Sequence, residues 1–324
     1  MDSNALYPLE FIPQLHYRLW GGEQLRALLG KKEALRSCGE SWEISALEGK
    51  VSIVSKGALK GQSLKALIEE SPTAILGKRV IESYGKNFPL LIKFIDAQQP
   101  LSVQVHPNNA LAQERHNCWG KSEMWYIIKA DKSAKLTLGF NESIDAKSFK
   151  NHCEEKSLES VLLQQQVSQG DVVHIPAGLL HAIGGGIVLA EIQQASDITY
   201  RVYDYDRIDA KKGKARKLHH KEALDAIDFS LEKGLVDYEP MANGSVELIN
   251  SPYFTTHLIQ LEGGGVSNKG ERNAFEVLIG VEGSCKLHHQ GNTYTIGLGN
   301  CFLLPAALSE YELSGKGRVL SVTI

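Results

Sequence analysis

The sequence predicts a mainly β protein made of two antiparallel barrel or jelly-roll modules, with a few short helices near the N-terminus and at a connector. Short runs rich in β-branched and aromatic residues recur after Pro89 and again after Phe254, and Gly, Pro, Asn and Asp separate them. Most intervals between the runs are too short for a crossover helix, which argues against a doubly wound nucleotide-binding fold. No phosphate-binding GxGxxG or GxxxxGK[ST] motif opens a helix.

An internal repeat supports two copies of one module. Residues 170–177 (GDVVHIPA) align with residues 299–306 (GNCFLLPA), with Gly, Pro and Ala in register. We therefore expect two domains, a catalytic module at 1–235 and a C-terminal module at 236–324. In the same alignment Glu276 corresponds to Glu123 and Glu310 to His181. The second copy also has no counterpart of His106. Since Glu123, His181 and His106 are the candidate metal ligands of the first copy, we expect one metal site per chain and a degenerate second module.

Helical periodicity is confined to three segments. Residues 22–36 place leucines at roughly helical spacing and predict an amphipathic helix interrupted near Gly30. Residues 63–84 predict two short helices that are divided at Ser71 and Pro72. Residues 211–229 predict a basic turn that leads into a connecting helix.

Composition excludes several classes of function. The 324 residues contain 35 Lys and Arg against 38 Asp and Glu, a net charge of −3, so no general basic field favours nucleic acid or an anionic membrane. The five cysteines form no CxxC pair, which is typical of reduced thiols and not of a cysteine metal cluster. No apolar run approaches the ~18 residues of a membrane span. We expect a cytoplasmic monomer or weak homodimer.

Candidate metal ligands lie on two predicted strands. In LSVQVHP, Ser102, Gln104 and His106 alternate with valines and would therefore project from one face. Glu123 opens the apolar run EMWYII, where a carboxylate must face solvent, a partner or a metal. Taken singly, an inward histidine is more often a core residue and such a glutamate a surface residue, so these two segments alone leave both interpretations open.

The third candidate is His181, in the pattern G-D-x(4)-P-x-G-x(2)-H. This pattern resembles a characteristic motif of the cupin superfamily, in which the turn after the proline presents the histidine to the interior of a small β-barrel. Two histidines and a carboxylate from different strands form a three-ligand site with an open position, as catalytic zinc requires. The amide oxygen of Gln104 would complete the set.

Further motifs make the resemblance specific. The chain resembles type I mannose-6-phosphate isomerases in their short bacterial form. The resemblance implies zinc held by Gln104, His106, Glu123 and His181, the interconversion of mannose 6-phosphate and fructose 6-phosphate, and Arg201, Lys121 and Asp197 in the active site. The residues that carry it are Trp20-Gly21-Gly22, GESWEIS at 39–45, LSVQVHP at 101–107, GKSEMW at 120–125, the turn before His181, and SDITYR at 196–201.

Aldose–ketose isomerisation moves a proton between the first two sugar carbons through an enediol, so the site needs a Lewis acid and a base. We expect either Lys121 or a water on the zinc to carry the proton; the histidine that the longer forms place near this lysine is missing here. The planar fork of Arg201 suits an anionic substrate or an enediolate, and Asp197 would orient Arg201 or a lysine, or cap the turn. Ser102 and Lys93 are candidate substrate-binding residues.

Two other functions fit the same ligand set. A cupin dioxygenase could use the two histidines and the carboxylate as an iron facial triad, although Gln104 and the SDITYR motif argue against it. A non-catalytic sugar-binding cupin would retain the fold, although the intact ligand set in the first module argues against that. The sequence favours the isomerase.

Overall fold

The strands form three large antiparallel sheets and a two-stranded ribbon within residues 6–209, 213–230, 234–270 and 272–324, the part of the chain that this computed structural model describes. The prediction of a mainly β, antiparallel fold with few helices is thereby confirmed. None of the described helices is long and apolar enough to cross a membrane.

Sheet I has seven strands in the order β1-β2-β3-β10-β5-β8-β14. They are β1 (Gln14–Gly22), β2 (Cys38–Ile44), β3 (Leu90–Ala97), β5 (Glu123–Ala130), β8 (Val172–Ile175), β10 (Ile187–Gln194) and β14 (Leu235–Val236). Sheet II has five strands in the order β11-β4-β9-β6-β7. They are β4 (Val103–Val105), β6 (Lys135–Phe140), β7 (Leu162–Gln166), β9 (His181–Ile183) and β11 (Tyr200–Tyr203). The ribbon joins β12 (Ile208–Asp209) to β13 (Lys214–Ala215).

Sheet I is buried on both faces, which explains why its central strands read as almost continuous apolar runs. On β5, Met124, Tyr126 and Ile128 pack into a large core shared with the C-terminal module. The alternate residues Trp125 and Ile127 pack into a second core that includes residues of sheet II. Charged side chains on this second face are therefore directed into the space between the two sheets.

The described part of the chain contains seven α-helices. They are α1 (Gln24–Ala27), α2 (Leu64–Glu70), α3 (Pro72–Leu76), α4 (Lys78–Tyr84), α5 (Asn109–His116), α6 (Ala146–Glu154) and α7 (His220–Ala226). α6, α7 and the outer face of sheet II share a third core. The connecting helix predicted at residues 211–229 is confirmed as α7, whereas residues 211 and 212 of its predicted basic turn lie outside the described residues.

Two helix predictions need correction. The helix expected over residues 22–36 is limited to α1, because Gly30 adopts a φ of +68° and the following Lys31 turns its side chain into a buried ion pair with Glu43. Residues 63–84 form three helices, not two. The extra break occurs at Gly77, whose φ is +88° and where a Cβ atom would collide with the Asn273 carbonyl oxygen.

The C-terminal module contains β15 (Gly244–Asn250), β16 (Thr255–Lys269), β17 (Glu276–His289), β18 (Asn292–Gly297), β19 (Cys301–Leu304) and β20 (Glu310–Thr323). The predicted repeat is visible in its strand register. Glu123 opens β5 and faces Ile175 on β8, while Glu276 opens β17 and faces Leu304 on β19. The second glutamate accepts hydrogen bonds from Tyr311 Oη (2.8 Å) and Ser321 Oγ (2.5 Å), so protein donors occupy it.

The beginning of the described chain packs on its end. The Leu9 amide donates to the Leu303 carbonyl and the Leu303 amide to the Leu9 carbonyl, each at 2.8 Å. Leu6, Leu9 and Phe11 belong to the same core as the strands of the C-terminal module. The division into 1–235 and 236–324 stays a prediction, and this core is continuous across it.

Candidate active site

Three buried ligand residues converge between the two sheets. Glu123 opens β5 of sheet I, His181 opens β9 of sheet II, and His106 directly follows β4. One donor atom from each residue lies within 4.8 Å of the other two, and all three side chains are buried. Residues predicted from three separate sequence motifs therefore meet in one cluster.

Backbone carbonyls fix the orientation of both imidazoles. His106 Nδ1 donates to the Ile198 carbonyl (2.9 Å) and His181 Nδ1 donates to the Leu179 carbonyl (2.8 Å). The unprotonated Nε2 atoms consequently face Glu123, at 3.3 Å for His106 and 3.9 Å for His181. Burial lowers the pKa of His106 to about 3, helped by the charge of Lys121, and burial likewise lowers the pKa of His181. Both rings are neutral at neutral pH and offer lone pairs.

Gln104 and Lys121 complete the immediate surroundings of the cluster. Gln104 lies opposite His181 in the strand register, with its amide nitrogen 3.4 Å from His181 Nε2. Rotation of this amide by half a turn would direct its oxygen at the cluster without moving the side chain. Lys121 Nζ lies 2.8 Å from Glu123 Oε1 and 3.2 Å from His106 Nε2.

These donors fit a divalent metal ion. Burial alone would raise the pKa of Glu123, but the charge of Lys121 lowers it well below its usual value, so the carboxylate is ionised. The ammonium of Lys121 thus supplies the positive charge that an ion would bring. Because the His106 Nε2 lone pair can serve only one partner, Lys121 and a metal would compete for it. Nitrogen and oxygen donors in this number suit zinc and similar ions.

A cavity of about 520 Å³ opens beside the cluster. All the sequence-predicted substrate and catalytic residues line it, together with Gln104, whereas the three buried ligands lie behind its wall. The charged, histidine and hydroxyl-bearing residues in its lining are Tyr17, Arg18, Glu40, Lys93, Ser102, Lys121, Glu191, Asp197, Thr199, Arg201, Asp209, Arg216 and His219.

Lys93 is held by a carboxylate that the sequence interpretation missed. Its ammonium lies 2.8 Å from Glu191 Oε2, and both side chains are about 5% exposed or less. Trp125 Nε1 donates to Glu191 Oε1 (3.1 Å) and to Glu123 Oε2 (3.2 Å), which links this pair to the cluster of candidate ligands. Burial and the charge of Glu123 raise the pKa of Glu191. A carboxylate inside the apolar run IVLAEIQ was the available signal for this residue.

Arg201 carries positive charge that no described carboxylate neutralises at ion-pair distance. It lies opposite Gln104 on β11, donates from Nε to Ser102 Oγ (3.2 Å) and donates from Nη1 to the Lys217 carbonyl (3.1 Å). Its neighbour Arg216 instead forms a bidentate pair with Asp204. Burial, and then the charge of Arg216, lower the pKa of Arg201 to about 10, which leaves it a cation at neutral pH.

Asp197 is paired with a lysine at the cavity mouth. Lys50 Nζ lies 2.6 Å from Asp197 Oδ2, and the side chain of Asp197 is 46% exposed. Burial acts to raise the pKa of Asp197, but the hydrogen bond from Lys50 lowers it on balance. Lys50 also lies over the ring of Trp42, 4.4 Å from its centroid. Arg201 and a lysine are the expected partners of Asp197, and in the structure its partner is a lysine, Lys50.

Arg18 and Glu40 are further cavity residues that sequence reasoning missed. Arg18 Nε and Nη2 each donate to one carboxylate oxygen of Glu40 at 2.8 Å, and Trp42 Nε1 donates to Glu40 Oε2 at 2.7 Å. Burial acts to raise the pKa of Glu40, but Lys93 and Arg18 lower it to about 2. Glu40 belongs to the GESWEIS motif that carried the resemblance, yet no pattern in the sequence pairs it with Arg18.

Comparison with known proteins agrees with these motifs. Residues 9–142 match the sequence model of the phosphomannose isomerase type I catalytic domain, and residues 245–324 match the mannose-6-phosphate isomerase cupin domain. The mannose-6-phosphate isomerase of Streptococcus mutans is 33% identical over 97% of this chain and 97% of its own length. ManA of Bacillus subtilis, which carries the same name, is 35% identical over 97% of this chain and 98% of its own length.

Solved structures give the same result. The crystal structure of the Bacillus subtilis mannose 6-phosphate isomerase superposes with a TM-score of 0.89, at 29% identity, over 98% of this chain and all of that chain. A phosphomannose isomerase mutant from Salmonella typhimurium superposes with a TM-score of 0.79 over 98% of this chain and 99% of that chain. At 18% identity the second match supports the fold alone.

Proposed function

The chain belongs to the type I mannose-6-phosphate isomerase family, and from this premise we propose that it interconverts mannose 6-phosphate and fructose 6-phosphate, using a zinc ion beside the cavity. One observation carries the proposal: a buried two-histidine, one-glutamate cluster and an unneutralised arginine adjoin the same cavity of about 520 Å³. The hydroxyl and carbonyl oxygens of a sugar phosphate could bind at this ligand cluster, and its phosphate group could bind the arginine.

Gln104, His106, Glu123 and His181 would hold the zinc ion, one per chain. When bound, a divalent ion would act as a Lewis acid toward the oxygens on the first two sugar carbons. Four protein ligands and no demand for redox chemistry favour zinc over iron at this site. The second module offers no equivalent, because protein donors occupy Glu276.

Arg201 would bind the phosphate of the substrate. A guanidinium that is partly buried and lacks a carboxylate partner gains most from an anionic ligand. Ser102 accepts from Arg201 Nε and so fixes the direction of the fork, while Lys93 adds positive charge on the opposite wall. Asp197, tied to Lys50 at the mouth, would orient the incoming sugar through its hydroxyl groups.

Lys121 would carry the proton between the two carbons. In its amine form Lys121 accepts the proton from C2 while O1 takes a proton from water, which gives the enediol and an ammonium. The ammonium then delivers its proton to C1 while O2 returns a proton to water. The Lys121 side chain is buried at the point where the cavity meets the ligand cluster, within 3.2 Å of His106 Nε2, and this position supports the role.

The test is a coupled assay for fructose 6-phosphate on protein that has been stripped of metal and reloaded with zinc or iron, with metal content measured in parallel. We expect zinc to restore turnover and His181→Ala to abolish both zinc binding and turnover. His257→Ala, a histidine of the C-terminal module outside the cavity, is the matched control and should retain both.

Folded protein without turnover under either metal would refute the isomerase proposal. Iron-restored consumption of dioxygen would favour the dioxygenase alternative, and sugar-phosphate binding without any turnover would favour a non-catalytic cupin. Full zinc binding by His181→Ala would refute the ligand set.

A further inference from the structure

One imidazole on the cavity wall, that of His219, has no role in the proposed reaction. His219, the residue before α7, is half-buried and lines the cavity next to Arg201. Two hydrogen bonds join His219 to Arg201, one between main-chain groups and one that involves the imidazole ring. The Arg201 amide donates to His219 Nδ1 (3.1 Å), and the His219 amide donates to the Arg201 carbonyl (2.7 Å).

The first of these hydrogen bonds fixes the tautomer of the ring. A nitrogen that accepts a hydrogen bond carries no proton, so the neutral imidazole of His219 must carry its proton on Nε2. No residue in the described part of the chain hydrogen-bonds to this Nε2 atom. His219 therefore offers the cavity a directed N–H donor whose orientation is set by the backbone of Arg201.

The charges around this donor favour an anionic acceptor. Arg201 has no carboxylate at ion-pair distance in the described chain, and Asp204, whose negative charge acts on it, is engaged by Arg207 and Arg216. A phosphoryl oxygen drawn to Arg201 would be within the region that the His219 ring also lines.

We infer that His219 Nε2 donates a hydrogen bond to a phosphoryl oxygen of the bound sugar phosphate, beside Arg201. This inference rests on the proposed function, which assigns the phosphate to Arg201. His219 would add a neutral, directional donor beside the charged guanidinium of Arg201. The phosphate end of the cavity would then recognise both the charge and the geometry of the ligand. His219 is a binding residue in this scheme and takes no part in proton transfer.

His219→Asn separates this role from a structural one. The Asn side-chain oxygen can replace Nδ1 as the acceptor for the Arg201 amide, but nothing replaces the Nε2 donor; His219→Ala loses both. We expect both variants of the metal-loaded enzyme to bind inorganic phosphate about ten-fold more weakly in titration calorimetry, as the loss of a hydrogen bond to a charged group predicts. The KM for mannose 6-phosphate should rise by a similar factor while kcat stays within two-fold.

His220→Asn is the matched control. His220 neighbours His219 and bonds to the Val202 carbonyl (2.8 Å), but it does not line the cavity, so phosphate affinity and KM should be unchanged. Wild-type affinity in His219→Asn together with weak binding in His219→Ala would overturn the inference, because the ring would then serve only the Arg201 backbone. Wild-type affinity in both would overturn it as well.

Arg201→Gln distinguishes failure of this inference from failure of the proposed function. If Arg201→Gln binds phosphate weakly while His219→Asn binds it normally, the phosphate lies at Arg201 and only the role of His219 is refuted. If Arg201→Gln binds phosphate as wild type does, the phosphate lies elsewhere and both assignments are refuted.

Discussion

Removing one partner of the buried Lys31–Glu43 ion pair should cost the protein several kcal/mol of stability. Lys31 Nζ lies 2.7 Å from Glu43 Oε2 and donates to the Gly299 carbonyl at 2.8 Å, and the two side chains are 9% and 5% exposed. The pair therefore connects the first module to the C-terminal one. Burial raises the pKa of Glu43, and this effect exceeds the lowering by Lys31 and Ser41. The ionised form of this carboxylate therefore depends on Lys31.

The substitution is Lys31→Met, which keeps the apolar stem but leaves Glu43 without a counterion. Breaking a buried pair in this way costs about 3–5 kcal/mol, and losing the hydrogen bond to Gly299 adds about 1 kcal/mol. Lys31→Met/Glu43→Gln removes the stranded charge as well and should regain about half of the loss. Lys86→Met breaks an exposed pair with Glu69, whose side chains are 52% and 54% exposed, and should cost less than about 1 kcal/mol.

Urea unfolding followed by circular dichroism measures each variant, with the free energy taken from the shift of the midpoint at constant slope. A loss for Lys31→Met no larger than that for Lys86→Met would refute the reasoning. So would a double variant Lys31→Met/Glu43→Gln that is no more stable than Lys31→Met, because the stranded carboxylate would then not be the source of the loss.

Three further predictions follow from the site. Lys121→Met should lower kcat at least about 100-fold with the metal content retained, whereas Lys129→Met, a partly exposed lysine of β5, should not. Unchanged turnover in Lys121→Met would exclude this lysine as the proton carrier. The pKa of Glu40 is about 2, below its ordinary value of 4.5, so its carboxylate stabilises the fold above pH ~4.5 by about 3 kcal/mol, and this contribution disappears as the pH falls toward 2. Glu40→Gln should therefore flatten the acid side of a stability profile, and equal profiles would contradict the assignment. Metal removal by a chelator should lower the Tm of the wild type, since an ion present at 1,000 times its Kd contributes about 4 kcal/mol. The chelator should not change the Tm of His181→Ala. A wild-type Tm that stays the same after complete removal of the metal would contradict a site of this affinity.

Local patterns identified the candidate ligands, and the resemblance to a known family joined them into one set. Alternation with valine put Gln104 and His106 on one face, and the turn after Pro176 identified His181. The structure adds that His181 lies on sheet II, that His106 directly follows a strand of this sheet, and that the two histidines lie close to Glu123 of sheet I. The roles of these residues in metal binding stay predictions, whereas the isomerase family and the mainly β fold are confirmed.

Pairings between distant segments could not be predicted from these patterns. Arg18 meets Glu40 across two strands, and Lys93 meets Glu191 across nearly a hundred residues, because sheet order decides which side chains are neighbours. The helix expected beyond Ala27 failed for a related reason. Its periodic leucines signalled burial, but Lys31 gains more from a distant ion pair than from continuing the helix.

The contact between Leu9 and Leu303 sets an order of events during synthesis. About 290 residues separate the two, and at roughly 5–20 residues per second the ribosome needs about 15–60 s to deliver the second after the first. Throughout that interval Leu6, Leu9 and Phe11 have no C-terminal module to cover them. Docking of the N-terminal segment is therefore one of the last steps of assembly, and a nascent chain arrested before β19 would expose an apolar segment for chaperones to bind.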